Sequence, residues 1–192
     1  MLSRNDDALE FLLSRRSRPA KTLAGPVPDH AALKTILTAA ARSPDHGKME
    51  PWRFIVLEKP ALVRLADLAE ARGEALGLDD EKRAKGRAQF DVGHLCVAII
   101  EVQKPSEKIP SVEMTYSAGA VCLALLNAAL ASGWGANWIS GWPSHERGFV
   151  ETGLGLEANE RVAGMIYLGT ETSAPPERPR PDLDAITTWV SS

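Results

Sequence analysis

Guanidinium groups and flat aromatic rings are the chemically notable side chains of this chain. Arg15, Arg16 and Arg18 sit with Ser17 at the end of an expected helix. Such a cluster can be a solvated group that suits the negative end of the helix dipole. It can equally be an anion site, because guanidinium groups hold phosphate bidentately and Ser17 adds a hydroxyl. A second grouping runs from Ala41 to Trp52 and holds Arg42, Asp45, His46 and Lys48. Pro44 and Pro51 restrict the residue before each of them, and Gly47 allows a tight turn or a close approach. A loop this stiff and basic suggests a site; the plainer alternative is a solvated connection between helix and strand. Arg178 and Arg180 lie far along the chain, and Trp52, Trp138 and Trp142 offer flat surfaces.

Several chemistries find no support. His30, His94 and His145 are scattered, and Asp45-His46 has no second ligand pair at metal-binding spacing. No Gly-x-Ser-x-Gly elbow occurs, and no cysteine is paired with a nearby histidine. Gly133 and Gly135 follow a helix, the wrong context for a dinucleotide-binding turn. No metal is expected.

The totals bound the class. With 192 residues, 44% hydrophobic and 24% charged, the chain is long enough for one domain with a core. We expect a single domain over residues 1–192, with 171–192 an extended tail. A net charge of −3 argues against a nucleic-acid partner held through phosphates. The richest apolar run, Ala118 to Ala131, is shorter than the roughly 20 residues a bilayer crossing needs. The N-terminus lacks the order of a signal peptide, so the cytoplasm is the default location and no membrane association is expected. Cys96 and Cys122 lie in apolar runs and read as buried free thiols.

These residues must be positioned by surrounding elements. Asp6 or Asp7 can cap a helix to Ser14, and Pro28-Asp29 opens a second through Ala40. Arg53 to Glu58 reads as a strand and Pro60 begins a third helix. Gly73 to Gln89 is so charged that it reads as a mobile helical excursion on the surface. His94 to Val102 is an unbroken apolar strand, which implies burial on both faces. Ser111 is expected to cap a helix to Ser132 that is apolar nearly all round, which belongs in a core or a subunit interface. Further strands are expected at Ala136 to Ile139, Val162 to Leu168 and Ile186 to Val190. A short helix capped by Ser144 should end near Gly153. The prolines after Thr170 keep the tail stiff and extended.

Four of these segments, in order, resemble the nitroreductase family of FMN-dependent NAD(P)H oxidoreductases, closest to its short bacterial subgroup. They are Arg15-Arg16-Ser17, Arg42 to His46 with Pro51-Trp52, Gly133 to Gly141, and Gly164 to Thr170. The resemblance implies an α+β fold with a mixed, mainly antiparallel sheet flanked by helices, in an intertwined homodimer. FMN would lie at the interface, with NADH or NADPH as donor and a small flat acceptor, such as a nitroaromatic or quinone, reduced in ping-pong fashion. Flavin N5 would carry the hydride, so no catalytic side chain is implied. Carried over by position, Arg15, Arg16, Ser17, Arg178 and Arg180 fall at the phosphate end. Trp138, Ile139 and Ser140 fall along the ring. Arg42 and His46 would reach the flavin of the partner. Ile139 departs from the subgroup, which is basic there, so only a backbone contact would persist. Related flavin chemistry, such as reductive dehalogenation or flavin breakdown, and a non-enzymatic flavin-binding dimer remain as alternatives.

Overall fold

The computed structural model describes residues 3–192. In chain order the elements are α1 (Asp6–Ser14), β1 (Leu23–Ala24), α2 (His30–Ala40), β2 (Trp52–Glu58), α3 (Lys59–Ala75), α4 (Asp80–Asp91) and β3 (Leu95–Val102). They continue with α5 (Ser111–Ala131), β4 (Gly135–Ile139), α6 (Arg147–Leu154), β5 (Glu160–Glu171) and α7 (Leu183–Ile186). The five-stranded sheet has β5 at its centre. One edge of β5 pairs with β3, which pairs in turn with β2; the other edge pairs with β4 and then β1. All four pairings are antiparallel, so the expected mixed character has no counterpart among the described residues.

Helices cover both faces of the sheet, and β3 shows why. Cys96, Ala98 and Ile100 point into a core shared with Leu62 and Leu65 of α3, Phe90 of α4 and Phe149 of α6. Val97 and Ile99 point the other way, onto Leu33 and Ile36 of α2 and Val121 and Leu125 of α5. Successive strand residues alternate faces, so a strand buried on both sides is apolar throughout. Cys96 and Cys122 are buried free thiols; burial raises both, Cys122 to about 12, which removes them from thiolate chemistry.

Several local expectations need correction. The α5 helix has 21 residues and is long and apolar enough to cross a membrane by length and composition, beyond the shorter run the sequence suggested. Yet Met114, Ala118, Val121, Cys122, Leu125 and Ala129 bury one side of it against the protein. Asn5, not Asp6 or Asp7, caps α1, and Pro110 precedes α5 without a side-chain cap, leaving Ser111 inside the helix. Glu146, not Ser144, caps α6, because Arg72 of α3 holds its carboxylate where Gly148 and Phe149 N–H groups donate to it. The charged stretch before Gln89 is a helix docked on α3: Gly86, Gln89 and Phe90 are buried, and Arg83 and Arg87 reach Glu70 and Asp67. No strand forms over Ile186 to Val190; one helical turn precedes exposed residues, because no neighbouring strand of the same chain pairs there.

Candidate functional site

The segment after α1 leaves the helix at Arg15, whose extended backbone begins a half-buried run through Pro19. Two main-chain anchors tie this run to β4. Arg18 N–H donates to the Ala136 carbonyl at 2.8 Å, and Asn137 Nδ2 donates to the Arg18 carbonyl at 2.9 Å. A third contact reaches the tail, where Arg16 Nη2 donates to the Pro176 carbonyl at 2.9 Å. Arg15, Arg16 and Ser17 therefore share a concavity of about 610 Å³ with Arg178, Pro179, Arg180 and Pro181. Residues 160 positions apart in sequence meet there.

The electrostatics of this concavity are one-sided. Arg18 pairs with Glu171 at 2.8 Å and Arg180 with the exposed Glu177 at 3.2 Å. Arg15, Arg16 and Arg178 have no carboxylate partner among the described residues. Arg15 Nη2 meets only Ser17 Oγ, at 3.3 Å. The Nε atoms of Arg15 and Arg16 are buried without a hydrogen-bond partner. Burial, and then the guanidinium groups of Arg180, Arg16 and Arg18, push Arg15 below the usual arginine range. Buried polar groups are nearly always partnered, so this cradle of unmet donors fits a multivalent anion such as a phosphate.

β4 leads from the arginine cluster to the second predicted group. Trp138, Ile139 and Ser140 lie two to four residues beyond the anchor at Ala136, roughly 7–14 Å along a strand. The Trp138 indole lies against bare backbone: a Cβ at Gly164 would meet its Nε1 at 2.2 Å. Its 39% exposure leaves a broad aromatic surface open. Ile139 packs its side chain against the core, so only its backbone is available to a ligand. Ser140 is exposed.

Arg42 and His46 lie elsewhere. The loop between α2 and β2 is held by several contacts. Ser117 Oγ of α5 donates to the Pro44 carbonyl at 2.8 Å, and Trp52 Nε1 donates to that hydroxyl at 3.2 Å. The Asp45 carboxylate accepts from the Glu50 N–H at 2.6 Å. Gly47, Lys48 and Glu50 have φ of 69°, 55° and 45°, the left-handed region that is unfavourable for the two non-glycine residues. Backbone strain of this kind collects at functional sites, where surrounding contacts enforce it. His46 Nδ1 sits 2.5 Å from the Glu113 carboxylate, and Arg42 is exposed without a partner among the described residues. His46 lines a concavity with Pro44, Glu113, Tyr116 and Ala120, separate from the one lined by Arg15. Within this chain the predicted residues thus form two groups: Arg15 to Ser17 with the tail arginines and β4, and the loop against α5.

Sequence reasoning noted Arg18 only as part of the cluster; its role as the hinge to β4 needed the fold. It offered Trp142 only as a flat surface beside Trp52 and Trp138. That indole lies over Gly86, where a Cβ would not fit, and a glycine inside a charged helix was the available signal.

An antiparallel sheet with helices on both faces, an arginine cradle and an aromatic ledge along one strand now define a class. Residues 12–170 match the nitroreductase family, and the chain belongs to that family. It is 36% identical over 164 residues to an Escherichia coli K12 protein named "Putative NAD(P)H nitroreductase YdjA", covering 85% of this chain and 88% of that protein. Among solved structures it resembles a nitroreductase-like protein from Bacillus cereus, with a TM-score of 0.80, 22% identity and full coverage of both chains. A Desulfovibrio desulfuricans protein determined in complex with FMN shares the fold at a TM-score of 0.75 and 19% identity, over 98% of this chain and 99% of that one.

Proposed function

We propose that this protein is an FMN-dependent oxidoreductase that takes hydride from NADH or NADPH and reduces a small flat electrophile, such as a nitroaromatic or quinone, in a ping-pong cycle. The observation that carries the reading is the arginine cradle with its unmet buried donors. Its chemistry fits the phosphate of FMN. Arg15, Arg16, Ser17, Arg178 and Arg180 would hold that phosphate, and Trp138, Ile139 and Ser140 would line the ring. When bound, FMN would supply the hydride-accepting atom, N5, so the chain needs no nucleophile or metal of its own. The chain's part is to bind, orient and exclude water. A positive group at the pyrimidine edge would favour reduction, and Arg42 is the candidate, with His46 reaching the flavin from the same loop.

We infer further that the working form is a homodimer in the cytoplasm, where NAD(P)H is at hand. Val112, Tyr116 and Leu123 are exposed along one side of α5, with Gly119 and Ala120 between them. An apolar helix stripe of this kind, facing water, marks an interaction surface. The loop that carries Arg42 and His46 lies beside it, so a two-fold axis there would bring the loop to the other chain's flavin.

Titration with FMN and with riboflavin tests the reading. The purified protein should be yellow or take up FMN, and should oxidise NAD(P)H when a nitroaromatic is added. Arg15→Ala should weaken FMN binding by roughly 1.5–3 kcal/mol, the scale of a charge-assisted hydrogen bond, and leave riboflavin unaffected. A protein that neither carries flavin nor binds added FMN would overturn the proposal.

A further inference from the structure

We propose that α3 and α4 form a clamp on the turn after β4, with the Trp142 indole as its key, and that this clamp sets the position of Trp138 to Ser140. The inference rests on the flavin reading, in which those residues line the ring.

Three separate contacts grip residues 141–148. The first is Trp142. Its Nε1 donates to the Lys82 carbonyl of α4 at 2.9 Å. Its ring lies against two helical glycines: a Cβ at Gly86 would collide with the indole at 2.4 Å, whereas one at Gly73 would collide first with Arg83 at 2.9 Å and touch the indole at an ordinary 3.4 Å. Glycine is among the least favourable residues inside a helix, yet α3 and α4 each place one against the same ring. The second is Gln89, which is buried; a Cβ at Gly141 would meet its Oε1 at 2.2 Å, and its Nε2 reaches Ser144 Oγ at 3.5 Å and Met165 Sδ at 3.3 Å. Met165 is the β5 partner of Ile139, so Gln89 touches the strand pair that ends the ring wall. The third is Arg72, bidentate to Glu146 at 2.8 and 3.0 Å and close against Gly148.

Among the described residues β4 has only β5 as a strand partner, and pairing ends at Ile139. Beyond that point no ladder fixes the chain, and the turn is held by side-chain contacts, those from α3 and α4 together with Arg147, which donates to the Glu160 and Leu156 carbonyls. A helical excursion that looked like solvated surface therefore has a positional task. Trp142 and Gly86 are positioning residues: they touch neither flavin nor substrate but fix the segment that does.

The clamp predicts a loss distinct from that of the arginine cradle. Trp142→Ala should weaken FMN and riboflavin by the same factor, about tenfold, the upper range for an aromatic contact. It should also change the visible circular dichroism of the bound flavin. Gly86→Ala, whose methyl group collides with the indole, should do likewise. Adding Trp142→Phe to Gly86→Ala should restore binding, because the smaller ring frees the space. Arg161→Met, which loosens the fold away from this turn, serves as control and should leave the flavin spectrum and the FMN-to-riboflavin ratio unchanged. The clamp is wrong if Trp142→Ala binds both ligands with parental affinity and spectrum. It is equally wrong if the loss is confined to FMN, or if Arg161→Met gives the same spectral change. A parent protein that binds neither ligand would sink the flavin reading and the clamp with it, whereas a flavin-binding parent with a silent Trp142→Ala sinks the clamp alone.

Discussion

Two arginine-rich regions of this molecule have opposite designs. At the β2–β3–β5 end, Arg53 forms two hydrogen bonds to Glu160, at 2.6 and 2.8 Å, and Arg161 does the same to Glu101, at 2.6 and 2.9 Å. Both carboxylates are almost fully buried, at 7% and 2% side-chain exposure. Thr115 and Gln103 take up further oxygen lone pairs of Glu101, so that group is satisfied within the chain. At the other region Arg15, Arg16 and Arg178 meet no carboxylate among the described residues, and two guanidinium nitrogens are buried without partners. Buried charge is costly unless paired, so the first arrangement belongs to the fold and the second expects a visitor. Counting arginines would not separate the two regions; counting their partners does.

The largest effect should come from breaking the paired side. Arg161→Met leaves Glu101 buried without its cation, and should destabilise the protein by about 3 kcal/mol, the low end for an orphaned buried charge because Thr115 and Gln103 remain. Urea unfolding measures it, and the FMN-to-riboflavin affinity ratio should not move. Arg15→Ala should do the reverse, shifting that ratio while leaving the unfolding midpoint intact or raised, since it relieves repulsion from Arg180, Arg16 and Arg18. A variant of either kind that moves both quantities would erase the distinction.

A smaller effect follows from pH. Hydrogen bonds from Arg53 hold the Glu160 carboxyl below its ordinary value of 4.5. Burial would raise Glu101, but hydrogen bonds from Arg161, Gln103 and Thr115 outweigh it and hold that carboxyl below 4.5 as well. Unfolding releases both to ordinary values, so the unfolded chain binds protons first as pH falls. The stability these groups contribute is complete above pH 4.5 and is lost as pH drops from there through their depressed folded values. Unfolding midpoints should be flat from pH 6 to pH 8 in this respect and fall steeply below about pH 4.5. In Arg161→Met the acid-side slope should be shallower; an unchanged slope would mean that Glu101 is not held by Arg161.

The sequence makes the local parts legible. Asp29 caps α2 as expected, its carboxylate accepting from the Ala32 N–H, because a cap is a three-residue matter. The unbroken apolar run of β3 reports burial on both faces. What escaped depends on distant partners. Glu146 serves as a cap because Arg72, 74 positions away, orients it. β1 is two residues long and exists only as a partner of Thr170 and Glu171. Gln89 and Gly86 read as surface because their burial comes from Ser144 and Trp142 respectively, on a turn more than fifty positions later. The same rule applies to the site: the arginine triplet is visible as residues, whereas its meeting with Arg178 and Arg180 is a product of the fold.

The smallest effect tests whether the two groups of site residues belong to one flavin. Arg42 is exposed and lines no concavity with Arg15, so its removal should cost only about 1 kcal/mol of FMN affinity, the size of a single hydrogen bond. The informative measurement is a mixture. If each flavin takes Arg15 from one chain and Arg42 from the other, a heterodimer of Arg15→Ala and Arg42→Ala subunits has one site with both defects and one with neither. Half of its sites should then bind FMN with parental affinity, as two-fold symmetry requires. If both residues serve one site from the same chain, every heterodimer site carries a single defect and no parental class is found. The second outcome would overturn the sharing of each flavin between chains and place the loop at the flavin of its own chain.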